Sequence, residues 1–181
     1  MSNFDDAVNY VLANEKGYVN NINDPGKVTN YGISLRFLKS QDINTLKTLG
    51  FYDEITEETI KNLTVDQAKI IYEQLFWNVA PFSKIPNQVH CNYIFDMAVN
   101  CGVAPAIKVA QRATWAVMQR ISIPDDGILG QKTLEAIKMC GYLLMPAMRS
   151  ERAGYYRLIT QINEQDKEFL QGWLNRAYES K

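Results

Sequence analysis

Histidine is nearly absent from this chain, and that one shortage removes several chemistries. His90 is the only histidine among 181 residues. It has no Ser-His-Asp order and no metal-ligand spacing around it, so a nucleophilic triad or zinc-dependent amide hydrolysis lacks support, and a structural role is the plainer reading. Cysteine is scarce too: Cys91, Cys101 and Cys140 are odd in number and show no CxxC spacing. A disulfide framework and a zinc site are therefore not indicated, and the three are expected to be small buried hydrophobes. There is no excess of one charge, with 19 Lys/Arg against 20 Asp/Glu and a net charge of −1. No global basic field exists to hold a polyanion, so nucleic acid is not an expected partner. No apolar run reaches the length of a membrane span, so stable membrane insertion is not expected. The opening MSNFDDAVNY carries acids where a secretory signal needs a positive start. The chain is thus expected to be synthesised in the cytoplasm without a signal peptide. Six Pro and ten Gly are too few for a disordered or low-complexity scaffold.

What remains is apolar and aromatic: 46% hydrophobic, with three Trp, ten Tyr and seven Phe. A chain of this length can bury one good core but hardly two, so we expect one compact domain, a monomer, with two lobes: residues 1–88 and 89–181. The first lobe is mildly acidic, 8 Lys/Arg against 11 Asp/Glu, and the second mildly basic, 11 against 9.

Phe4, Ala7, Val8, Val11 and Leu12 recur at helical spacing. They predict a helix over 4–15 that places Glu15 in its last turn, with Ser2 and Asp5 spaced like a capping box and Gly17 just beyond the end. The following GYVNNINDPGKVTNYGIS is rich in Asn, Gly and Asp and suits a small hairpin or irregular lobe. From residue 34 the pattern is helical, with Ser34 and Thr56 as N-caps and Thr64 to Gln67 as a capping box. Apolar helices follow over 88–102 and 104–121, split near Gly102 and Pro105. A PDDG turn at 124–127 precedes a short helix through 139, and amphipathic helices over 146–163 and 166–178 close the chain. The expectation is a mainly α, lysozyme-like fold with a small β-hairpin or irregular lobe after the first helix.

The informative constellation is Glu15, then Asp24 nine residues on, then Thr29. Glycoside hydrolysis needs a carboxylic acid to protonate the leaving oxygen and a second polar site to guide water. A carboxyl at the C-terminal end of a helix meets the negative end of the helix dipole, which suits a proton donor. On this reading Glu15 is the general acid, and Asp24 and Thr29 position and activate the water. Spacing alone equally allows Glu15 to be an ordinary helix-end residue and Asp24-Pro25-Gly26 a plain turn. Sugar rings stack on aromatic faces, which makes Tyr18, Tyr31 and Trp77 candidate saccharide contacts, although Trp77 and Trp173 sit in apolar patterns that also fit a core, and Trp115 reads as core.

These residues resemble a known family. EKGYVNNINDPGKVTNYGIS is similar to the N-terminal motif of glycoside hydrolase family 108, of the form EGGY followed by DxGGxTNxGI. AKIIYEQLFW at 68–77, FDMAVNCG at 95–102, DGILG at 126–130 and FLQGWLNR at 169–176 resemble its later signatures, so nearly the whole chain is covered. Lys16 and Lys27 depart from the pattern, each standing where the family has glycine. The resemblance implies a phage endolysin-like N-acetylmuramidase whose acid is Glu15. It would cut the β-1,4 bond between N-acetylmuramic acid and N-acetylglucosamine without metal or organic cofactor. Asp24 and Thr29 would hold the water, and inversion is the expected outcome. It further implies peptidoglycan strands as partner, action in the periplasm or cell wall, and either holin-dependent release or a domesticated role in toxin export, as in the family's typhoid toxin secretion muramidase. The second half is similar to a module associated with peptidoglycan binding, and a catalytically silent wall-binding module is the alternative reading. Substrate contacts are assigned to Tyr18, Asn30, Tyr31, Trp77 and Asn100. Asn100, Gly102, Asp126 and Gly127 fit helix caps and turns better than a groove, and Asp125-Asp126-Gly127 lacks the other ligands of a calcium loop.

Overall fold

The computed structural model describes residues 1–15, 17–20 and 28–179. Among these described residues, ten α-helices and a three-stranded sheet run in the order α1 (Phe4–Asn14), β1 (Val19–Asn20), β2 (Val28–Asn30), β3 (Ile33–Ser34), α2 (Leu35–Lys39), α3 (Ile43–Thr48), α4 (Glu57–Lys61) and α5 (Val65–Tyr72). They continue with α6 (Gln88–Cys101), α7 (Val103–Met118), α8 (Gln131–Cys140), α9 (Leu144–Ile162) and α10 (Leu170–Tyr178). The fold is mainly α and lysozyme-like, with the small β element directly after the first helix.

The centre of the packing is α6. His90, Cys91 and Tyr93 through Ala98 are all buried along it, because α1 covers one side and α7 another. A helix apolar nearly all round can be stable only in such a position. α9 packs on α7, and α10 on α9. One apolar cluster runs from Ala7 and Val8 of α1 through Ile33, Leu38 and Tyr72 to Ile107, Ile137 and Met148. A smaller one joins Ala153 and Tyr156 of α9 to Ala177 of α10, with Trp173 and Leu174 against it.

Local chemistry explains most of the boundaries. Ser34 accepts from the Phe37 amide, and Thr56 and Thr64 form capping boxes with Thr59 and Gln67. The start of α1 differs from the expectation: Asn3, not Ser2, is the N-cap and accepts from the Asp6 amide. Ser2 is buried, and its hydroxyl donates to the Ile85 carbonyl at 2.8 Å, tying the chain start to the segment before α6. α1 ends at Asn14, so Glu15 is its C-cap, with extended backbone (φ −85°, ψ 133°) and its amide donating to the Val11 carbonyl. The helix after Thr64 continues from Tyr72 into a π-helical turn, Glu73–Trp77.

Among the described residues the sheet has three antiparallel strands. Val19 pairs with Thr29, Thr29 with Ser34, and Asn30 with Ile33. β2 and β3 are joined by the two-residue turn Tyr31–Gly32, both at positive φ (+49° and +77°), the conformation that matches the twist of a tight hairpin. Tyrosine is a costly residue for that conformation. It is held there by the Tyr72 hydroxyl of α5, which donates to the Tyr31 carbonyl at 2.5 Å.

Candidate active site

Glu15 stands where α1 gives way to the β element, and two other parts of the chain close on it, Arg176 of α10 and the Tyr31–Gly32 turn. From α10, Arg176 Nη2 donates to Glu15 Oε1 at 2.7 Å, across 161 positions of sequence. The two side chains are only 16% and 17% exposed, so solvent screens the pair poorly. The Tyr31–Gly32 turn also lies against Glu15. A Cβ placed on Gly32 would lie 2.7 Å from Glu15 Cδ and 2.6 Å from the Tyr72 hydroxyl oxygen. Only glycine lets the backbone approach the carboxyl group this closely at that φ.

Arg176 is itself gripped from below. Its Nε donates to Asp96 Oδ2 at 3.1 Å, and its Nη2 to Asp96 Oδ1 at 2.7 Å. Asp96 projects from the buried middle of α6, and its side chain is 1% exposed. It also accepts from Arg152 Nη2 of α9 at 2.7 Å and from Asn14 Nδ2, the residue preceding Glu15, at 2.9 Å. Arg152 passes the network on: its Nε donates to the Tyr156 hydroxyl, which donates to Asn100 Oδ1 at 2.7 Å. Arg152 also lies over the Tyr93 ring, 5.0 Å from its centroid.

The electrostatics follow from this layout. Burial alone would push the Asp96 carboxyl up, but the Arg176 and Arg152 guanidiniums outweigh it and hold Asp96 below the ordinary aspartate range. Burial works against the charge on Arg176, yet the Asp96 carboxylate, and after it Glu15, holds its pKa above the ordinary arginine value. Burial and then the Glu15 charge push the Tyr72 hydroxyl up, so it remains a donor. A buried charge is tolerable only when paired and hydrogen-bonded, and Asp96 is satisfied on both oxygens.

The other candidate residues lie as follows. Asp24 falls outside the described residues, as do Lys16 and Lys27. Thr29 occupies the middle of β2 on its less buried face, since Val28 and Asn30 on either side point inward. Asn30 is 5% exposed, and its amide donates to the carbonyls of Ile60, Lys61 and Leu63. That contradicts the substrate contact expected of Asn30: the side chain is turned inward and ties β2 to the end of α4. Trp77 is partly buried: its ring stacks on Phe82 and meets Phe4 and Phe95 edge-on or tilted, and it also borders a surface pocket with Asn78, Pro81 and Ser83. Tyr18 is exposed. Tyr31 packs partly on the core beside Glu15's wall. Asn100 stands one turn beyond Asp96 on α6, at the far end of the polar network.

Asp126 and Gly127 are turn residues. Gln111 donates to Asp126 Oδ1 and accepts from the Gly127 amide. Trp115 donates from its indole to the Ile123 carbonyl. His90 is buried, and Cys91 and Cys140 are buried free thiols, whereas Cys101 is partly exposed. Among the described residues, no group of three His, Cys, Asp or Glu is placed to hold a metal ion. The residues that sequence reasoning left unassigned are Asn14, Gly32, Tyr72, Asp96, Arg152 and Arg176. One of them carried a signal: an aspartate inside the apolar run IFDMAV has to be paired once that helix is buried.

The domain is mainly α, with a carboxyl group fixed at the exit of its first helix, and comparison with known proteins assigns its class. The profile of the family described as Glycosyl hydrolase 108 matches residues 8–102, more than half of the chain, and the chain belongs to that family. A second profile, described as Predicted Peptidoglycan domain, matches residues 105–178. The chain is therefore a glycoside hydrolase acting on peptidoglycan. Among solved structures it is similar to SagA of Brucella abortus, with a TM-score of 0.65 and 23% identity over 96% of this chain and 92% of that one. Comparison with curated proteins finds no match.

Proposed function

We propose that the protein is an N-acetylmuramidase that hydrolyses the β-1,4 bond between N-acetylmuramic acid and N-acetylglucosamine, with Glu15 as general acid. The observation that carries this reading is the fixed Glu15 carboxyl group, walled by Gly32 and held at Oε1 by Arg176 in a member of this family. Because Oε1 accepts from Arg176, the transferable proton belongs on Oε2. It passes to the glycosidic oxygen as the bond from that oxygen to the anomeric carbon breaks. Water held by Asp24 and Thr29 attacks the anomeric carbon from the opposite face and gives up its proton to Asp24, which yields inversion. Spacing and family resemblance support the roles of Asp24 and Thr29. Tyr18, exposed beside the β element, and Tyr31, Trp77 and Asn100 are the remaining saccharide contacts.

The lobes 1–88 and 89–181 act as one unit on glycan strands at the cell wall, and the protein works as a monomer. Its activity serves either phage lysis, after release through a holin, or a bacterial muramidase that opens the wall for toxin export. Mass spectrometry of purified peptidoglycan tests the reading. Digestion is expected to create reducing N-acetylmuramic acid ends, and Glu15→Gln to abolish them. Glucosamine ends, anhydro sugars or cut peptides would place the bond elsewhere. Binding without any product from the unaltered chain would make it a wall-binding module.

A further inference from the structure

We propose that Arg176 is a positioning residue for Glu15, so that the last helix of the segment matching a peptidoglycan domain completes the active site of the hydrolase segment. This rests on the reading of Glu15 as the acid.

A proton donor has to reach one oxygen of the substrate, and misplacement by about 1 Å can cost roughly 100-fold in rate. Glu15 begins with little restraint of its own. It lies past the last turn of α1 on extended backbone, and its side chain has several rotatable bonds. The Gly32 backbone lies against its carboxyl group but makes no hydrogen bond that would orient it. The orienting contact is supplied by Arg176, whose fork is already fixed before it reaches Glu15. Nε and Nη2 both engage Asp96, and Nη2 then bridges from Asp96 Oδ1 to Glu15 Oε1, both at 2.7 Å.

Asp96 also holds the backbone end of the same residue, because it accepts from Asn14. One buried carboxylate on α6 thus sets Glu15 twice: through the residue before it and through the guanidinium on its own carboxyl group. The next residue of α10 is anchored as well, since the Tyr93 hydroxyl donates to the Ala177 carbonyl at 2.7 Å and Ala177 is fully buried. Arg152 fills the remaining side of Asp96 and is held in turn by Tyr156. Lysine cannot reproduce this arrangement, because a single ammonium group lacks the planar fork that engages two carboxylates at fixed angles.

The test uses the full chain with Arg176→Gln and Arg176→Lys, assayed on purified peptidoglycan with thermal unfolding followed in parallel. With the variants folded at the assay temperature, kcat falls roughly 100-fold in Arg176→Gln while KM stays within about twofold, the pattern expected when orientation and not binding is lost. Arg176→Lys recovers part of kcat. A folded Arg176→Gln with kcat within about twofold of the unaltered chain overturns the proposal. So does a loss confined to KM, or one that merely tracks the change in Tm and is not relieved by lysine. A second measurement needs no change at Arg176: its guanidinium nitrogen NMR signals shift on Glu15→Gln while those of Arg152 hold, and an unmoved Arg176 signal overturns the contact. Retained activity in Glu15→Gln would defeat the assignment of the acid itself. An inactive Glu15→Gln beside an unaffected Arg176→Gln would defeat only the role given to Arg176.

Discussion

Asp96→Asn is the substitution whose stability cost follows most directly from the geometry. Asp96 is the anion between two guanidiniums, with both ion pairs at 2.7 Å, its own side chain 1% exposed, Arg152 0% and Arg176 16%. Asparagine keeps the size and removes the charge, which leaves two cations close together in a poorly solvated interior, with Glu15 as the remaining counter-charge to Arg176. Removing one partner of a buried pair costs about 3–5 kcal/mol, because the charge left behind is uncompensated. For a domain of this size each kcal/mol moves Tm by roughly 2–4 °C, so the expected fall is roughly 6–20 °C. Urea unfolding followed by circular dichroism should show a lower midpoint with an unchanged slope, since the surface exposed on unfolding is the same. Activity at a temperature where the variant remains folded should fall as well, because Arg176 and Asn14 both lose the group that orients them toward Glu15. A stability loss below about 1 kcal/mol would refute the reasoning and mean that water or a shifted side chain compensates the arginines.

Two further outcomes follow. Asp96 is held below the ordinary aspartate range. Its contribution to stability is therefore complete above about pH 4, the unfolded value, and is lost as the pH falls below that toward the folded pKa; acid unfolding should be correspondingly flatter in Asp96→Asn than in the unaltered chain. Gly32→Ala places a methyl group 2.7 Å from Glu15 Cδ at a φ of +77°, so stability should drop by about 1–3 kcal/mol. Activity at a temperature where it is folded should fall further, as Glu15 is displaced; a variant with unchanged activity would show that the turn does not wall the acid.

The parts of the fold set by local chemistry could be read from the sequence, and the parts set by distant contacts could not. Ser34, Thr56 and Thr64 announce their helices because a cap satisfies amides two or three residues away. Ser2 misleads for the opposite reason: its hydroxyl is taken by Ile85, 83 positions on, and Asn3 caps instead. The described strands are two or three residues long, too short for alternation to show, so only the turn-rich composition of the stretch marked the small β element. At the site, Asn30 carries the right chemistry for sugar, yet tertiary packing turns it onto the end of α4. Arg176 gave no local sign of its position, since it reaches Glu15 only because α10 packs on α9 and α9 on α7.

The central claim is that Glu15 donates the proton in a muramidase reaction, and mass spectrometry of one peptidoglycan preparation digested by the unaltered chain and by Glu15→Gln tests it most directly. The account predicts new reducing ends on N-acetylmuramic acid with the first and none with the second. The same muramic acid ends from a folded Glu15→Gln would contradict it.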